Sequence, residues 1–297
     1  MSSKGTILFG GSGFLGSNIL RLRPDFISVG RTPPPTGNRH VPIASVGDLS
    51  CLASLEFDQV IFVIGHSDHY GLEKEVLQPG EWNAFDYHTM PLIQALEQLK
   101  QRPIRKFIHF STVLLYDELR IKLPASESEP INPYRNRYLM SKYLAEEVSK
   151  YYARWMPVAT VRLANMYGPW PRKRYDLIHT LCWSLLANGR ASMWTAKPQR
   201  DFIYVEDAAA AVVQLLDSDA AGTFNLGSGI ATPISEVRDI LAEVSGCPID
   251  DLDRQVNGPH RFCCDIGTLK SAIRMQPQCS IREGIRRTFE IMGSYNQ

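Results

Sequence analysis

Several absences narrow the reading of this 297-residue chain. Neither sign of charge is in excess: 32 Lys and Arg stand against 31 Asp and Glu. That balance leaves no electrostatic footprint for nucleic acid and no polybasic signal for a membrane surface. No apolar run approaches the ~20 residues of a membrane-spanning helix. The six cysteines include no C-x-x-C pair, and the vicinal Cys263-Cys264 lacks metal-finger spacing. From Met1 to Lys4 the chain passes straight into a strand-like run, with no signal-peptide-like apolar core. The expectation is a reduced, cytoplasmic protein without nucleic-acid or membrane partners and without a metal.

What is present is ordinary globular material, 44% hydrophobic and 21% charged, so disorder and collagen are excluded. Short apolar runs alternate with amphipathic stretches. Thr6–Phe9, Phe26–Val29, Val60–Ile64, Phe107–Phe110 and Val158–Leu163 read as strands. Helices are predicted over Phe14–Leu22, 83–100 and 134–153. Near-continuous apolar strands separated by helices imply a parallel sheet covered on both faces, and right-handed crossovers make it doubly wound. The fold class is therefore α/β: a doubly wound Rossmann sheet with a smaller C-terminal lobe. Residues 1–168 are assigned to the sheet domain, with a return at about 200–228, and 169–297 mainly to the smaller lobe.

Gly10, Gly13 and Gly16 follow the first strand and open the first helix. Glycines at this spacing permit a tight turn and let a pyrophosphate approach the backbone. The helix N-terminus at Phe14 and Leu15 supplies free N–H groups and a positive partial charge. The acid expected about 20 residues on, for a ribose 2′-hydroxyl, is missing. Gly30 and Arg31 stand there, and a guanidinium is able to grip a 2′-phosphate bidentately. NADP(H) is preferred on this chemistry, with NAD(H) as the alternative. Asp48, in Gly47-Asp48-Leu49, is the candidate acceptor for the adenine amine, with a helix N-cap as the other reading.

Tyr138 and Lys142 lie one helical turn apart and face the same way. An ammonium beside a phenol favours phenolate, which would fit Tyr138 for acid/base work near neutral pH. Lys142 is also placed to bond the nicotinamide ribose. Ser111 and Thr112 end the preceding strand, where doubly wound sheets bind ligands. Thr112 is the first choice to bond the substrate oxygen that Tyr138 would protonate, and Ser111 the second.

With these residues in place, the chain resembles the extended short-chain dehydrogenase/reductases of the NAD-dependent epimerase/dehydratase type. The resemblance covers nearly the whole chain. Besides the glycine triplet and Y-x-x-x-K, it rests on Ser111-Thr112 with Tyr116, on Arg162, Asn165, Tyr167, Gly168 and Pro169, and on Arg200, Asp201, Phe202, Val205 and Asp207. It implies a nucleotide-sugar substrate and hydride transfer at a sugar carbon, with catalytic Thr112, Tyr138 and Lys142. It further implies that Asn165, Arg200 and Arg261 meet the substrate's phosphate region, and that the chain forms a homodimer.

The departures are specific. Val113 and Leu114 stand where sugar 4,6-dehydratases carry Asp-Glu, and neither can move a proton, which argues against 4,6-dehydration. Phe62-Val63-Ile64-Gly65 replaces the family's H-L-A-A, and the loop His66-Ser67-Asp68-His69-Tyr70 that follows is unusual. Three-residue His spacing alone does not make a metal site. His69 is read as lining the substrate mouth, with a second acid/base as the alternative. Three functions remain: NADPH-linked reduction of a nucleotide-linked keto sugar, redox-neutral epimerisation, and a non-catalytic dinucleotide sensor, the last disfavoured by the intact Tyr138, Lys142 and Thr112.

Overall fold

The computed structural model describes residues 4–66, 82–255, 258–274 and 276–295. Strands β1 (Thr6–Phe9), β2 (Ile27–Gly30), β3 (His40–Pro42), β4 (Gln59–Phe62), β5 (Lys106–Thr112) and β6 (Val158–Leu163) alternate with helices α1 (Phe14–Leu22), α2 (Ala84–Leu99) and α3 (Arg137–Tyr152). Next come β7 (Asn165–Tyr167), α4 (Leu177–Asn188), β8 (Ala191–Met193), β9 (Gln199–Arg200), β10 (Phe202–Tyr204) and α5 (Val205–Asp217). The chain continues through β11 (Gly222–Leu226), β12 (Thr232–Pro233), α6 (Ile234–Ser245), β13 (Ile249–Asp251), α7 (Gly267–Ala272) and α8 (Ile281–Ser294).

Seven strands form one parallel sheet in the order β11-β6-β5-β4-β1-β2-β3. Side chains alternate across it, as the two-residue period of a strand requires. Leu8 and Ile61 join the core built with α1 and α5, and Ile7, Phe9, Val60 and Phe62 join the core built with α2 and α3. Strands buried on both faces explain the near-continuous apolar runs in the sequence. The chain winds from β1 outward to β3, then crosses back to β4. The carboxyl ends of β1 and β4 therefore flank the switch point, where such sheets open a crevice.

Element ends differ from the sequence expectation by a few residues. The third predicted helix begins at Arg137, because Asn132 and Asn136 cap in succession: Asn132 Oδ1 accepts from Tyr134 N at 3.3 Å, and Asn136 Oδ1 from Leu139 N at 2.8 Å. Residues 133–135 form a separate 3₁₀ turn.

Helices α4, α6 and α8 gather round a second core containing Tyr167, Leu181, Phe202, Val237, Leu241 and Ile285. Asp201 joins this lobe to the sheet. It is fully buried, and its carboxylate accepts from Ser228 N and Oγ at 2.7 Å each, from Gly229 N at 3.0 Å and from Cys264 N at 3.0 Å. Its carbonyl accepts from Asn165 N at 3.1 Å and Nδ2 at 3.0 Å. Four donors on one carboxylate leave no place for an amide N–H. Asp201→Asn is expected to lower the unfolding free energy by roughly 2–4 kcal/mol, since hydrogen bonds to a charged group contribute about 1.5–3 kcal/mol each. Urea denaturation measures it, and a change under about 0.5 kcal/mol would show that the junction is not held there.

Candidate active site

The loop after β1 is shaped by close approach. Gly10 has φ +89°, a region that favours glycine. A Cβ on Gly16 would lie 2.3 Å from the Gly10 carbonyl oxygen, so the helix reaches the loop only because residue 16 has no side chain. Gly13 N donates to Gly10 O at 3.0 Å, and Gly13 sits at the N-cap of α1 with no side-chain cap. The first turn of α1 thus presents backbone N–H groups rather than a capping hydroxyl.

A cavity of about 300 Å³ opens here, over the switch point. Its walls are the glycine loop, residues 63–66 after β4, 110–114 at the end of β5, and 163–166 at the end of β6. Tyr138 and Lys142 reach it from α3, and Arg174 and Asp176 from the loop before α4.

Both α3 residues are buried, Tyr138 to 8% and Lys142 to 9% exposure. The Tyr138 hydroxyl is hydrogen-bonded to the Thr112 side chain, whose Oγ1 also accepts from Leu114 N at 3.2 Å. Lys142 Nζ donates to the Phe110 carbonyl at 3.2 Å. The buried Ser111 hydroxyl on the same wall has no hydrogen-bond partner among the described residues. One turn further along α3, Glu146 receives Arg162 through Nε at 3.0 Å and Nη2 at 2.8 Å, an ion pair that fixes the buried face of the helix to β6.

The electrostatics correct one expectation. Desolvation pushes the Tyr138 phenol up to about 12, only partly offset by its bond to Thr112. It brings the Lys142 ammonium down to about 8, with Glu146 acting in the opposite sense. The expected depression of the phenol by Lys142 is not seen, because burial dominates and the amine is directed to Phe110 O. Tyr138 in this state is a proton donor.

Asn165 is on the cavity wall, its amide donating to Asp201 O. Arg31, Asp48 and Leu49 are not. Arg31 is exposed at the end of β2, 5.7 Å over the Trp82 ring. The exposed Asp48 carboxylate accepts from Ser50 N at 3.0 Å, which holds it below the usual carboxylate range and closes a local turn, while Leu49 is buried in the core. Arg200 donates to the carbonyls of Gln199 at 2.9 Å and Pro259 at 2.6 Å, and Arg261 is exposed beside it. His69 lies outside the described residues.

Sequence reasoning missed Arg174. Its guanidinium stacks 4.0 Å from the Phe14 ring centroid, and its Nε bonds Asp176 at 2.7 Å. A cation thus stands beside the first turn of α1. The basic run Arg172-Lys173-Arg174 directly after Pro171 was the available signal.

These residues fit a dinucleotide: a cradle that a Cβ at residue 16 would fill, an open helix N-terminus with a guanidinium beside it, and an unpartnered hydroxyl next to a phenol and an amine. The model of the NAD dependent epimerase/dehydratase family matches residues 78–227. UDP-glucuronic acid decarboxylase 1 of Arabidopsis thaliana is 27% identical over 201 residues, which cover 64% of this chain and 46% of that protein. The chain therefore spans about half the length of that relative. The fold superposes on UDP-glucose 4-epimerase of Thermotoga maritima, solved with UDP-glucose, with TM-score 0.87 and 20% identity, over 99% of this chain and 100% of that one. It also superposes on Pseudomonas aeruginosa RMD complexed with NADPH, with TM-score 0.80 and 20% identity, over 98% and 99%.

The lowered Lys142 amine has a consequence for stability. Between about pH 8 and 10.5 the unfolded chain keeps a proton on this residue that the folded chain has lost. Stability gains from this group as pH rises through that window, and its penalty is fully present below pH 8. The unfolding free energy of Lys142→Met minus that of the native chain is expected to fall by up to roughly 3 kcal/mol between pH 7.5 and pH 10.5. A pH-independent difference in urea denaturation would contradict the buried ammonium.

Proposed function

Because the chain belongs to the NAD dependent epimerase/dehydratase family, we propose that it binds a dinucleotide in this cavity and transfers hydride to a nucleotide-linked keto sugar, with NADPH as the preferred cofactor. The observation that carries this reading is the convergence of Tyr138, Lys142, Thr112 and the glycine loop on one cavity. The loop N–H groups and Arg174 are placed for the pyrophosphate, and Lys142 for the nicotinamide ribose. The bound cofactor supplies the hydride. Thr112 and Ser111 orient the carbonyl oxygen. Tyr138 gives that oxygen its phenolic proton as the carbon is reduced, leaving a hydroxyl on the sugar; burial keeps that proton on the phenol at neutral pH.

Arg31 supports NADPH: Gly30 closes β2 and Arg31 follows it, with no acidic residue at the place in the sequence where a carboxylate would repel a 2′-phosphate. Its contact with Trp82 keeps the guanidinium near the strand end. We take Asp48 and Leu49 as the outer margin of the adenosine site, Asn165, Arg200 and Arg261 as the substrate side, and His69 as part of its mouth. The second reading is redox-neutral epimerisation, favoured by the likeness to UDP-glucose 4-epimerase. The homodimer and cytoplasmic location belong to the proposal in the same way.

The first test is fluorescence titration of the nucleotide-stripped protein with NADPH and NADH. NADPH is expected to bind more tightly, and Arg31→Ala to reduce that preference about tenfold, the effect of ~1.4 kcal/mol. NADH preference, or NAD retained through purification, would put epimerisation first. Stoichiometric oxidation of NADPH by a nucleotide-linked keto sugar identifies the reductase. Tyr138→Phe is expected to keep NADPH affinity within about threefold while turnover falls ~10²–10⁴-fold. Retained turnover would remove Tyr138 from the chemistry.

A further inference from the structure

His88 lies on α2 and belongs to none of the motifs above. It is buried, with 2% of its surface exposed. Its polar neighbours favour one tautomer. The Ser141 hydroxyl donates its single hydrogen to the Tyr138 carbonyl at 2.7 Å, so its oxygen is left to accept from His88 Nδ1 at 2.9 Å. Nδ1 therefore carries the imidazole proton and Nε2 the lone pair. That lone pair accepts from the His66 backbone N–H at 3.1 Å. The His66 carbonyl oxygen also lies 3.0 Å from Nε2, but becomes a partner only when that nitrogen is protonated.

Two further contacts strengthen the junction. Thr89 Oγ1, next to His88 on α2, donates to the Ser141 carbonyl at 2.9 Å. The His88 ring meets the Tyr138 ring edge to face, with centroids 5.3 Å apart and planes at 84°. The charged and titratable groups facing the imidazole are Lys142 of α3, His66 after β4 and His109 of β5. All three oppose a second proton, as burial does; a hydrogen bond with the His66 backbone acts in the opposite sense and is outweighed, so the imidazole stays neutral.

We propose that His88 is a positioning residue. As its Nδ1–H tautomer it ties the backbone at residues 65–66, one wall of the cavity, to the turn of α3 that carries Tyr138 and Lys142. The tie sets the gap across which a nicotinamide ring and the phenol must meet. A histidine fits this task because its two nitrogens bond in opposite senses, one to a hydroxyl oxygen and one to an amide N–H, across a rigid ring. The proposal rests on the dinucleotide reading of the cavity, so the test separates the two.

Three variants divide the tie. His88→Leu removes both bonds and keeps an apolar side chain. His88→Gln keeps an acceptor for His66 N–H. His88→Asn keeps a donor for Ser141. In ¹⁵N-histidine-labelled protein, His88 is expected to show protonated Nδ1 and unprotonated Nε2 from pH 6 to 8. Hydrogen exchange at the His66 amide is expected to accelerate about fivefold in His88→Leu and His88→Asn, and to stay within about twofold in His88→Gln, one net hydrogen bond being worth ~1 kcal/mol. The dissociation constant for NADPH, measured by fluorescence, is expected to rise about tenfold in His88→Leu and to recover in His88→Gln. An Nε2–H tautomer, unchanged His66 exchange in His88→Leu, or a uniform loss of protection across the sheet amides would each overturn the proposal. If the native chain binds neither NADPH nor NADH but shows the tautomer and the local exchange pattern, the tie stands and the dinucleotide reading falls.

Discussion

The structure turns on a buried carboxylate. Asp201 sits between β9 and β10, and its two oxygens collect N–H and O–H donors from the turn after β11 and from residue 264. Its carbonyl holds Asn165 at the cavity wall. An acceptor-only group surrounded by donors has one satisfactory arrangement, so the two lobes meet in one register. The cavity walls at residues 163–166 inherit their position from that junction. A merely apolar contact would allow sliding; a fixed fan of hydrogen bonds does not.

Helix α3 shows the complementary constraint. Tyr138, Lys142 and Glu146 share one face, and all three are buried. Burial raises the phenol and lowers the amine, moving both toward their neutral forms. Glu146 pairs bidentately with Arg162. The same face thus holds an ion pair at one end and, at the other, a phenol and an amine whose charged forms burial disfavours. Such a gradient leaves the reactive end responsive to whatever charge enters the cavity.

Much of the fold was legible because the strands are buried on both sides and read as apolar runs. The glycine loop was legible because steric exclusion leaves no other residue at Gly16. What was not legible depends on contacts between distant parts of the chain. Arg174 finds Phe14 across the fold, and no periodicity announces a loop residue. His88 reads as one histidine on a helix until the folded chain brings Ser141 and His66 to its two nitrogens. The phenol was misjudged because spacing shows that an ammonium is near but not how far both groups are removed from water. Asp48 sat at a suggestive spacing, yet its carboxylate closes its own turn.

The route of the chain through the sheet bears on its synthesis. β6 ends at Leu163, and its outer neighbour β11 begins only at Gly222. Until that later strand leaves the ribosome, the hydrogen-bonding edge of β6, an apolar strand, has no partner. At roughly 5–20 residues per second the interval lasts seconds, far longer than loop closure or hairpin formation. A nascent chain in that state offers an open template for strand addition by any neighbour. A delay between the making of β6 and the pairing of its outer edge is therefore a property of this topology, whatever the final stability of the folded protein.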